Sequence, residues 1–133
     1  MPHPKRPRIL VIDDEPLIGS LIARLLGARF DVVSVTRGQV GLDLLLAQDD
    51  FDLLLCDLMM PELTGMDVHA ALEARQSPHA ATMVFLTGGA FVGKAGEFLA
   101  RVPNPCVEKP FLAEELRSAV HGAMAPRASI PAL

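Results

Sequence analysis

The stretch that decides the fold is FDLLLCDLMMP, which runs from Phe51 to Pro61. An almost unbroken apolar run leads to Asp57, and Pro61 then turns the chain. A short apolar run that ends at a turn signal is typical of a strand buried on both faces, as in a parallel sheet. Open α/β sheets bind their ligands at the carboxyl ends of such strands. We therefore expect Asp57 to be either a hydrogen-bonded structural group or a chemically active one.

Strand and helix patterns alternate five times along the chain, with short connections. Strands are predicted at 8–12, 31–35, 51–57, 82–87 and 104–107. Helices are predicted at 16–26, 39–48, 66–75 and 113–124, and a glycine-interrupted fourth helix has Phe91, Phe98 and Leu99 on its apolar face. This alternation predicts one α/β domain, with a doubly wound parallel sheet of five strands and helices on both faces. We expect the domain to span residues 8–124, with an N-terminal extension at 1–7 and a frayed C-terminal tail at 125–133.

Several details of packing can also be predicted. In the second helix, Val40, Leu44 and Leu45 are expected to face the core. The four histidines, His3, His69, His79 and His121, lack the spacing of metal ligands and are expected at the surface. The two cysteines, Cys56 and Cys106, lie in apolar contexts and are expected to be buried free thiols.

Composition excludes several classes of function. The net charge of −4 and the pI of about 5.5 argue against direct binding of nucleic acid. No apolar run approaches the length of a membrane span, and the basic start lacks the apolar region of a signal peptide. We therefore expect a cytoplasmic protein with no membrane partner.

Polar side chains follow several of the predicted strands. Asp13 and Asp14 end the first strand, Asp57 the third and Thr87 the fourth. In a parallel sheet these groups converge on one edge. Two unit charges about 4 Å apart repel by about 4 kcal/mol at an effective dielectric constant near 20, so cations are needed there or pKa values must rise. Mg²⁺ suits such oxygen ligands, and Lys109 after the fifth strand can add a positive charge.

Acids, a divalent metal, a lysine and a hydroxyl together match phosphoryl-transfer chemistry. The nucleophile would then be a carboxylate, which forms an acyl phosphate. Asp57 is the better candidate because it stands alone at the end of the central strand. The adjacent Asp13 and Asp14 suit a metal site.

The chain resembles the receiver domain of two-component response regulators, from Arg8 to about Met124. The matching motifs are the acidic pair Asp13-Asp14, Asp57 before Leu58-Met59-Met60-Pro61, Gly65, Thr87, and Lys109-Pro110-Phe111. Each motif is weak alone, but together they occur in the order and at the strand ends that the family requires. The segments around Thr87 and Lys109 are also similar to receiver modules joined to hybrid sensor kinases.

The resemblance implies a flavodoxin-like sheet of order 2-1-3-4-5 and a phosphoacceptor function. Asp57 would take a phosphoryl group from a phosphohistidine of a sensor kinase or phosphotransfer protein. Asp14, Asp57 and the backbone carbonyl of Met59 would hold Mg²⁺, with Asp13 acting through water. Lys109 would pair with the phosphoryl group, and the peptide bond between Lys109 and Pro110 would be cis. Thr87 would move to a phosphoryl oxygen and report the change to the surface.

The resemblance also implies how signals leave the domain. The chain ends soon after the fifth predicted helix, so output is expected through a downstream protein partner. The face formed by the fourth helix, the fifth strand and the fifth helix is the expected contact surface, and it is also a candidate for homodimer contact. No turnover of a separate substrate is expected.

Two departures from the family pattern stand out. Many receivers have an aromatic residue three positions before the lysine, where this chain has Cys106. The switch is therefore expected to depend on Thr87 and on the glycine-rich segment 88–96. In the family, the side chains at the positions of Met59 and Gly89 tune the hydrolysis of the phosphate, and neither residue can orient a water molecule.

Two other functions remain open. A phosphorylation-independent pseudo-receiver would use the same fold only to bind proteins, and the retained acids and Lys109 argue against it. An Mg²⁺-dependent phosphatase with an aspartyl intermediate would need a second acid two residues after the nucleophile, where Met59 stands. Taken singly, each site residue also has an ordinary explanation, for example the N-terminal end of a helix for Asp13 and Asp14.

Overall fold

The chain is a five-stranded sheet covered by helices in a computed structural model that describes residues 6–48, 50–89 and 93–129. The strands are β1 (Arg8–Ile12), β2 (Asp31–Val35), β3 (Leu53–Asp57), β4 (Met83–Thr87) and β5 (Cys106–Glu108). The helices are α1 (Pro16–Leu26), α2 (Gly38–Ala47), α3 (Gly65–Ala74), α4 (Gly93–Arg101) and α5 (Ala113–Ser129). These elements confirm the predicted alternation of strands and helices.

The sheet is parallel throughout and has the order β2-β1-β3-β4-β5. This is the flavodoxin-like order that the resemblance implies. The register aligns the carboxyl ends of the strands, with Ile12 opposite Cys56 and Asp57 opposite Leu86. The residues that follow these ends therefore meet at one edge.

The core lies on both faces of the sheet because successive side chains of a strand point to opposite sides. Leu54 and Cys56 of β3 pack in the cluster that includes residues of α2, α3 and α4. Leu53 and Leu55 pack in the cluster that includes residues of α1 and α5. All five residues of β3 are buried, so the apolar run that suggested a central strand does form one.

The second helix packs differently from our expectation. Val40 is 42% exposed, so the prediction that it faces the core is wrong. The helix instead approaches the sheet at Gly41, where a Cβ would lie 2.2 Å from Cδ1 of Ile12. Leu42 and Leu45 supply the buried apolar contacts, and Leu44 is partly buried. A glycine contact carries no hydrophobic signal, so the sequence pattern placed Val40 wrongly, whereas Leu44 and Leu45 do pack toward the core.

Two of the histidines are buried, which corrects the prediction of surface positions. His69 of α3 is 4% exposed, and its ring contacts Phe98 edge-on with centroids 5.3 Å apart. It also contacts Phe85 with centroids 6.0 Å apart. His79 is 7% exposed and lies in a 3₁₀ helix at Pro78–Thr82 that the sequence analysis missed. His121 is exposed as expected, and His3 lies outside the described residues.

Element ends differ by a few residues from the predictions. Thr82 belongs to the 3₁₀ helix rather than to β4, and β5 begins at Cys106 rather than at Asn104. Asn104 instead donates side-chain hydrogen bonds to the carbonyls of Ala80 and Met83, both at 2.9 Å. The last helix continues to Ser129, beyond the predicted end near Met124. Phe91, expected on the face of the fourth helix, lies outside the described residues.

The two cysteines are free, as predicted. Cys56 and Cys106 stand in one row of the sheet, with Phe85 between them. Two strand spacings separate their backbones by about 9.5 Å, beyond the reach of a disulfide. Cys56 is buried, whereas Cys106 is only partly buried.

Within the described ranges, none of the helices has the length and apolar character that a membrane crossing needs.

Candidate functional site

The carboxyl edge of the sheet brings together the acids and the lysine that the sequence singled out. Asp13 follows β1, Asp57 ends β3 and Lys109 follows β5. The Lys109 Nζ lies 3.0 Å from Oδ2 of Asp13 and 3.6 Å from Oδ2 of Asp57. Asp13 and Asp57 are almost fully buried, at 1% and 4% exposed, whereas Asp14 is exposed. Two buried carboxylates thus share one ammonium group.

The carboxyl group of Asp57 has a strongly raised pKa. Burial, the hydrogen bond with Asp14 and the charge of Asp13 all raise it, and the pKa moves from 3.8 to about 7. The Lys109 charge and the backbone N–H of Met59, which donates to Oδ1 at 3.4 Å, act in the opposite direction. A pKa raised this far means that the site, as it stands, has too little positive charge for its acids.

Lys109 remains a cation despite its burial. Desolvation lowers its pKa, but the hydrogen bond to Asp13 and the charges of Asp57, Asp13 and Glu15 outweigh that effect and leave the pKa raised. The peptide bond between Lys109 and Pro110 is cis, as the resemblance implies. The Lys109 N–H donates to the Thr87 carbonyl at 2.6 Å, which joins the lysine to the end of β4.

Asp13 is held by the backbone on both sides. Its N–H donates to the Val35 carbonyl at 3.1 Å, and its Oδ1 accepts from the Glu15 N–H at 2.9 Å. The second contact is a local turn that acids commonly make ahead of a helix. One carboxylate oxygen of Asp13 is therefore fixed by the chain, and the other faces Lys109.

The loop after β3 is tied tightly beneath Asp57. The Leu58 N–H donates to the Leu86 carbonyl at 2.8 Å, and the Gly65 N–H donates to the Leu58 carbonyl at 3.0 Å. A Cβ at Gly65 would lie 2.5 Å from the carbonyl oxygen of Asp57. Only glycine permits this approach, which gives a physical reason for the glycine of the motif.

Thr87 lies at the edge but makes a contact of its own. It is 6% exposed, and its hydroxyl accepts a hydrogen bond from the Gly89 N–H at 3.5 Å. On the neighbouring strand, Cys106 stands beside Phe85, and Phe85 packs edge-on against Phe98 of α4 with centroids 5.2 Å apart. The aromatic contacts of this region therefore come from β4 and α4 rather than from β5. Of the glycine-rich segment 88–96, residues 90–92 lie outside the described residues.

The acids can hold a metal ion together. Asp13, Asp14 and Asp57 each offer a carboxylate oxygen, and the three oxygens lie within 4.8 Å of one another. Three hard oxygen donors around a net negative pocket fit Mg²⁺ in both ligand type and charge. The donor set and the raised pKa of Asp57 therefore both suit the binding of a cation at this cluster.

Three exposed apolar side chains lie close in sequence to the site residues, and the sequence analysis missed them. Leu17 at the start of α1 is 79% exposed, Met59 is 59% exposed and Leu112 is 68% exposed. Each stands within four residues of Asp13, Asp57 or Lys109. Leu17 fits the helical spacing of the apolar residues of α1, and spacing alone cannot tell an exposed end of an apolar stripe from its buried middle.

Comparison with known proteins identifies the family. The sequence model of the response regulator receiver domain matches residues 9–121 of this chain. Because the match covers most of the chain, the protein belongs to the response regulator receiver domain family. Receiver domains are the signalling switches of two-component systems, and they exchange signals with histidine kinases or phosphotransfer proteins and with downstream effectors.

Individual relatives are similar over part of their length. The transcriptional regulatory protein CpxR of Escherichia coli (strain K12) is 38% identical over 81 residues, which are 60% of this chain and 33% of that protein. The hybrid signal transduction histidine kinase D of Dictyostelium discoideum is 30% identical over 111 residues, which are 84% of this chain and 7% of that protein. The chain therefore spans a third or less of these two relatives.

A solved structure has the same fold. The crystal structure of a response regulator receiver domain protein from Clostridium thermocellum aligns with a TM-score of 0.80 and 28% sequence identity. The alignment covers 92% of this chain and 97% of that chain. The likeness therefore extends over the whole sheet and its helices.

Proposed function

We propose that the chain is a phosphoacceptor switch in which Asp57 takes a phosphoryl group from a phosphohistidine of a sensor kinase or phosphotransfer protein. The observation that carries the proposal is the position of the Asp57 carboxylate, 3.6 Å from the Lys109 ammonium and within one cluster with Asp13 and Asp14. A nucleophilic carboxylate, a fixed cation and acids for a metal are the groups that phosphoryl transfer needs.

The chemical step can be written for these residues. An Asp57 carboxylate oxygen attacks phosphorus, an acyl phosphate P–O bond forms and the P–N bond to the donor imidazole breaks. The imidazole nitrogen keeps the electron pair, and a proton carried by the other ring nitrogen or taken from water makes the departing ring a neutral imidazole. Negative charge on the transferring oxygens is balanced by Lys109, which stays protonated because of Asp13 and Asp57.

The metal site would be formed by Asp14, Asp57 and the Met59 carbonyl, with Asp13 contributing through water. Mg²⁺, when bound, supplies positive charge that neutralises the acids and the phosphoryl oxygens. Burial of Asp13 and Asp57 keeps bulk water from screening that charge.

Thr87 is proposed to carry the change to the surface. Its hydroxyl contact to the Gly89 N–H is long, at 3.5 Å, so exchanging it for a phosphoryl oxygen costs little. The backbone after Thr87 would follow this exchange and shift the population of a second arrangement of segment 88–96 and α4. Amide exchange of residues 88–97 that stays the same after phosphorylation would contradict this role.

The donor is proposed to dock on the apolar rim of the site. Leu17, Met59 and Leu112 expose large side chains beside the acids. Such a rim can bind a partner and exclude water while the phosphoryl group passes between proteins. A downstream partner, or a second copy of the chain, would use the face formed by α4, β5 and α5, as in the family.

The pseudo-receiver alternative is not favoured, because the chain keeps every charged group that phosphorylation requires in one cluster. The experiment is to incubate the protein with acetyl phosphate, with and without Mg²⁺, and to measure its intact mass. We expect the gain of one phosphoryl group in the wild type only when Mg²⁺ is present. Asp57→Asn should gain none, whereas the control Asp43→Asn, an exposed acid of α2, should behave like the wild type. No gain in the wild type would restore the pseudo-receiver.

A further inference from the structure

A groove between α1 and α5 combines an apolar floor with a basic rim. It lies between the end of α1 and the middle of α5, and its volume is about 630 Å³. Leu25, Leu26 and Val120 form the floor, and the partly buried Phe30 closes one end. Arg29 and Arg117 stand on the rim, and both are exposed.

The basic rim is unusual for this chain, whose net charge is −4. Ion pairs within the described residues involve Arg8, Arg37, His69 and Lys109, and none of them includes Arg29 or Arg117. The rim cations are therefore not neutralised by nearby acids of the described part of the chain. An anion that approaches this groove meets positive charge in an otherwise acidic molecule.

Two arginines at this end are anchored by the backbone of α1. Arg117 donates from Nη2 to the Leu25 carbonyl at 3.5 Å, and Arg6 donates from Nη1 to the Gly27 carbonyl at 2.7 Å. These carbonyls belong to the last turn of the helix, where arginine is a common hydrogen-bond partner. Each guanidinium has five N–H donors and uses one of them here, so most of its donors stay available.

Capping of α1 alone would explain the arginines but not the floor. Leu25 and Phe30 remain partly exposed beside the charges, although the core has buried Leu26 and Val120. Apolar surface framed by cations with free donors suits a ligand that is apolar along its centre and acidic at its edges. A second copy of the same face would bring arginine against arginine, which disfavours a symmetric dimer here.

We propose that this α1–α5 groove binds an acidic amphipathic helix of a partner protein. The apolar stripe of that helix would lie along Leu25, Phe30 and Val120, and its flanking carboxylates would accept hydrogen bonds from Arg29 and Arg117. The groove lies apart from Asp57 and its ligands, so this contact does not depend on the proposed phosphorylation. It gives the domain a second docking surface, which shares α5 with the proposed output face.

The test uses the full chain and a synthetic helical peptide with leucine at i, i+3, i+4 and i+7 and glutamate at the flanking positions. Binding is followed by NMR chemical shifts and by fluorescence anisotropy of the labelled peptide. We expect shifts to concentrate at residues 25–30 and 117–121, and the affinity to fall as salt is added. A matched peptide with lysine in place of every glutamate should bind at least tenfold more weakly.

Variants of the protein distinguish binding at the groove from a general effect of the protein's charge. The double variant Arg29→Glu, Arg117→Glu should bind the glutamate peptide at least tenfold more weakly. Ser118→Glu adds an acid to the rim and removes no described contact, and it should also weaken binding of this peptide. The control pair Arg75→Glu and Arg101→Glu changes two exposed arginines elsewhere and should bind like the wild type. Arg75 is matched to Arg117, since its Nη1 also donates to a helix carbonyl, that of Ala71, at 3.5 Å.

Several results would overturn the proposal. These are no binding at millimolar peptide, shifts centred outside the groove, or equal affinity for the glutamate and lysine peptides. If the peptide leaves the NMR signals of the groove residues unchanged but sodium laurate shifts them, the groove binds an anionic amphiphile and not a helix. Asp57→Asn should bind the peptide as the wild type does, so failure of the phosphoacceptor proposal would leave this result intact.

Discussion

Gly65 begins α3 in direct contact with the backbone that carries the proposed phosphoacceptor. A Cβ at this position would lie 2.5 Å from the carbonyl oxygen of Asp57 and 3.0 Å from Cα of Leu58. Both neighbours are backbone atoms, so no flexible side chain can move aside. The close contact keeps the loop after β3 short and fixes the base of the acidic cluster.

Gly65→Ala should therefore destabilise the protein by about 1–3 kcal/mol, because the added methyl group overpacks a backbone contact. Urea unfolding followed by circular dichroism measures the difference. The control is Gly122→Ala in α5, where the added Cβ would meet no atom within 4 Å apart from its chain neighbours and its own helix backbone. That variant should be more stable than the wild type by about 0.5–1 kcal/mol, because alanine favours the helix more than glycine does. Equal stability of Gly65→Ala and the wild type would contradict the tight contact.

Asp57→Asn should stabilise the metal-free protein, and the effect should depend on pH. The folded-state pKa of Asp57 is raised from 3.8 to about 7, so between these values the folded chain binds more protons at this carboxyl than the unfolded chain. Its contribution to stability therefore falls as the pH rises through that window. We expect the variant to exceed the wild type by about 1–4 kcal/mol near pH 8 and by much less near pH 4.

Urea unfolding at several pH values, with and without MgCl₂, tests this prediction. Mg²⁺ should raise the stability of the wild type and narrow the difference, because it binds the folded chain. Asp43→Asn, which removes an exposed acid of α2, controls for the loss of any single acid. If the free energies of unfolding of Asp57→Asn and the wild type differ by the same amount at every pH, a raised pKa of Asp57 does not explain the difference.

Gln76 ends α3 in a conformation that favours glycine. Its φ is 55°, and the Ser77 N–H donates to the Leu72 carbonyl at 2.9 Å while the Gln76 N–H donates to that of Glu73 at 2.9 Å. This hydrogen-bond pattern is the Schellman motif, whose left-handed residue is usually glycine. Gln76→Gly should therefore stabilise the protein by about 1 kcal/mol.

Thermal unfolding of Gln76→Gly beside Ala74→Gly measures this effect. Ala74 is the last residue of α3 and has a right-handed helical conformation. Glycine at this position should therefore lower the stability of the protein by about 0.5–1 kcal/mol. Loss of stability in both variants would mean that the left-handed conformation at Gln76 carries no strain.

Met59 is expected to set the lifetime of the phosphorylated state. Its side chain is 59% exposed beside Asp57 and cannot orient water for attack on an acyl phosphate. Met59→Asn adds an amide that can, so the phosphoryl group should be lost several-fold faster. The decay of the phosphorylated mass with time gives the rate, and Met59→Leu, which restores no polar group, should resemble the wild type. An unchanged rate in Met59→Asn would refute this assignment.

Much of the arrangement at the sheet edge followed from strand ends alone. A buried apolar run fixes which residue emerges at its carboxyl end, so the positions of Asp13, Asp57, Thr87 and Lys109 relative to one another could be predicted. The shared contact of Lys109 with two acids could not, because it depends on how far β5 extends past β4. The raised pKa of Asp57 likewise depends on burial that a sequence pattern does not measure.

The errors in the fold have a common physical origin. Val40 was assigned to the core and His69 to the surface because periodicity and polarity were read without their packing partners. Gly41 turns α2 toward Ile12, and the rings of Phe85 and Phe98 cover His69. Whether these side chains are buried depends on contacts between segments that are distant in sequence, and residue propensity and spacing give no information about such contacts.

The central claim is that the Asp57 carboxylate itself forms the acyl phosphate. The most direct measurement treats the phosphorylated protein with sodium borohydride, which reduces an aspartyl phosphate to homoserine, and locates the product by tandem mass spectrometry. The account predicts homoserine at position 57 and at no other acid, with its yield lost when Mg²⁺ is omitted. Homoserine at position 13 or 14, or phosphorylated protein that yields none, would contradict it.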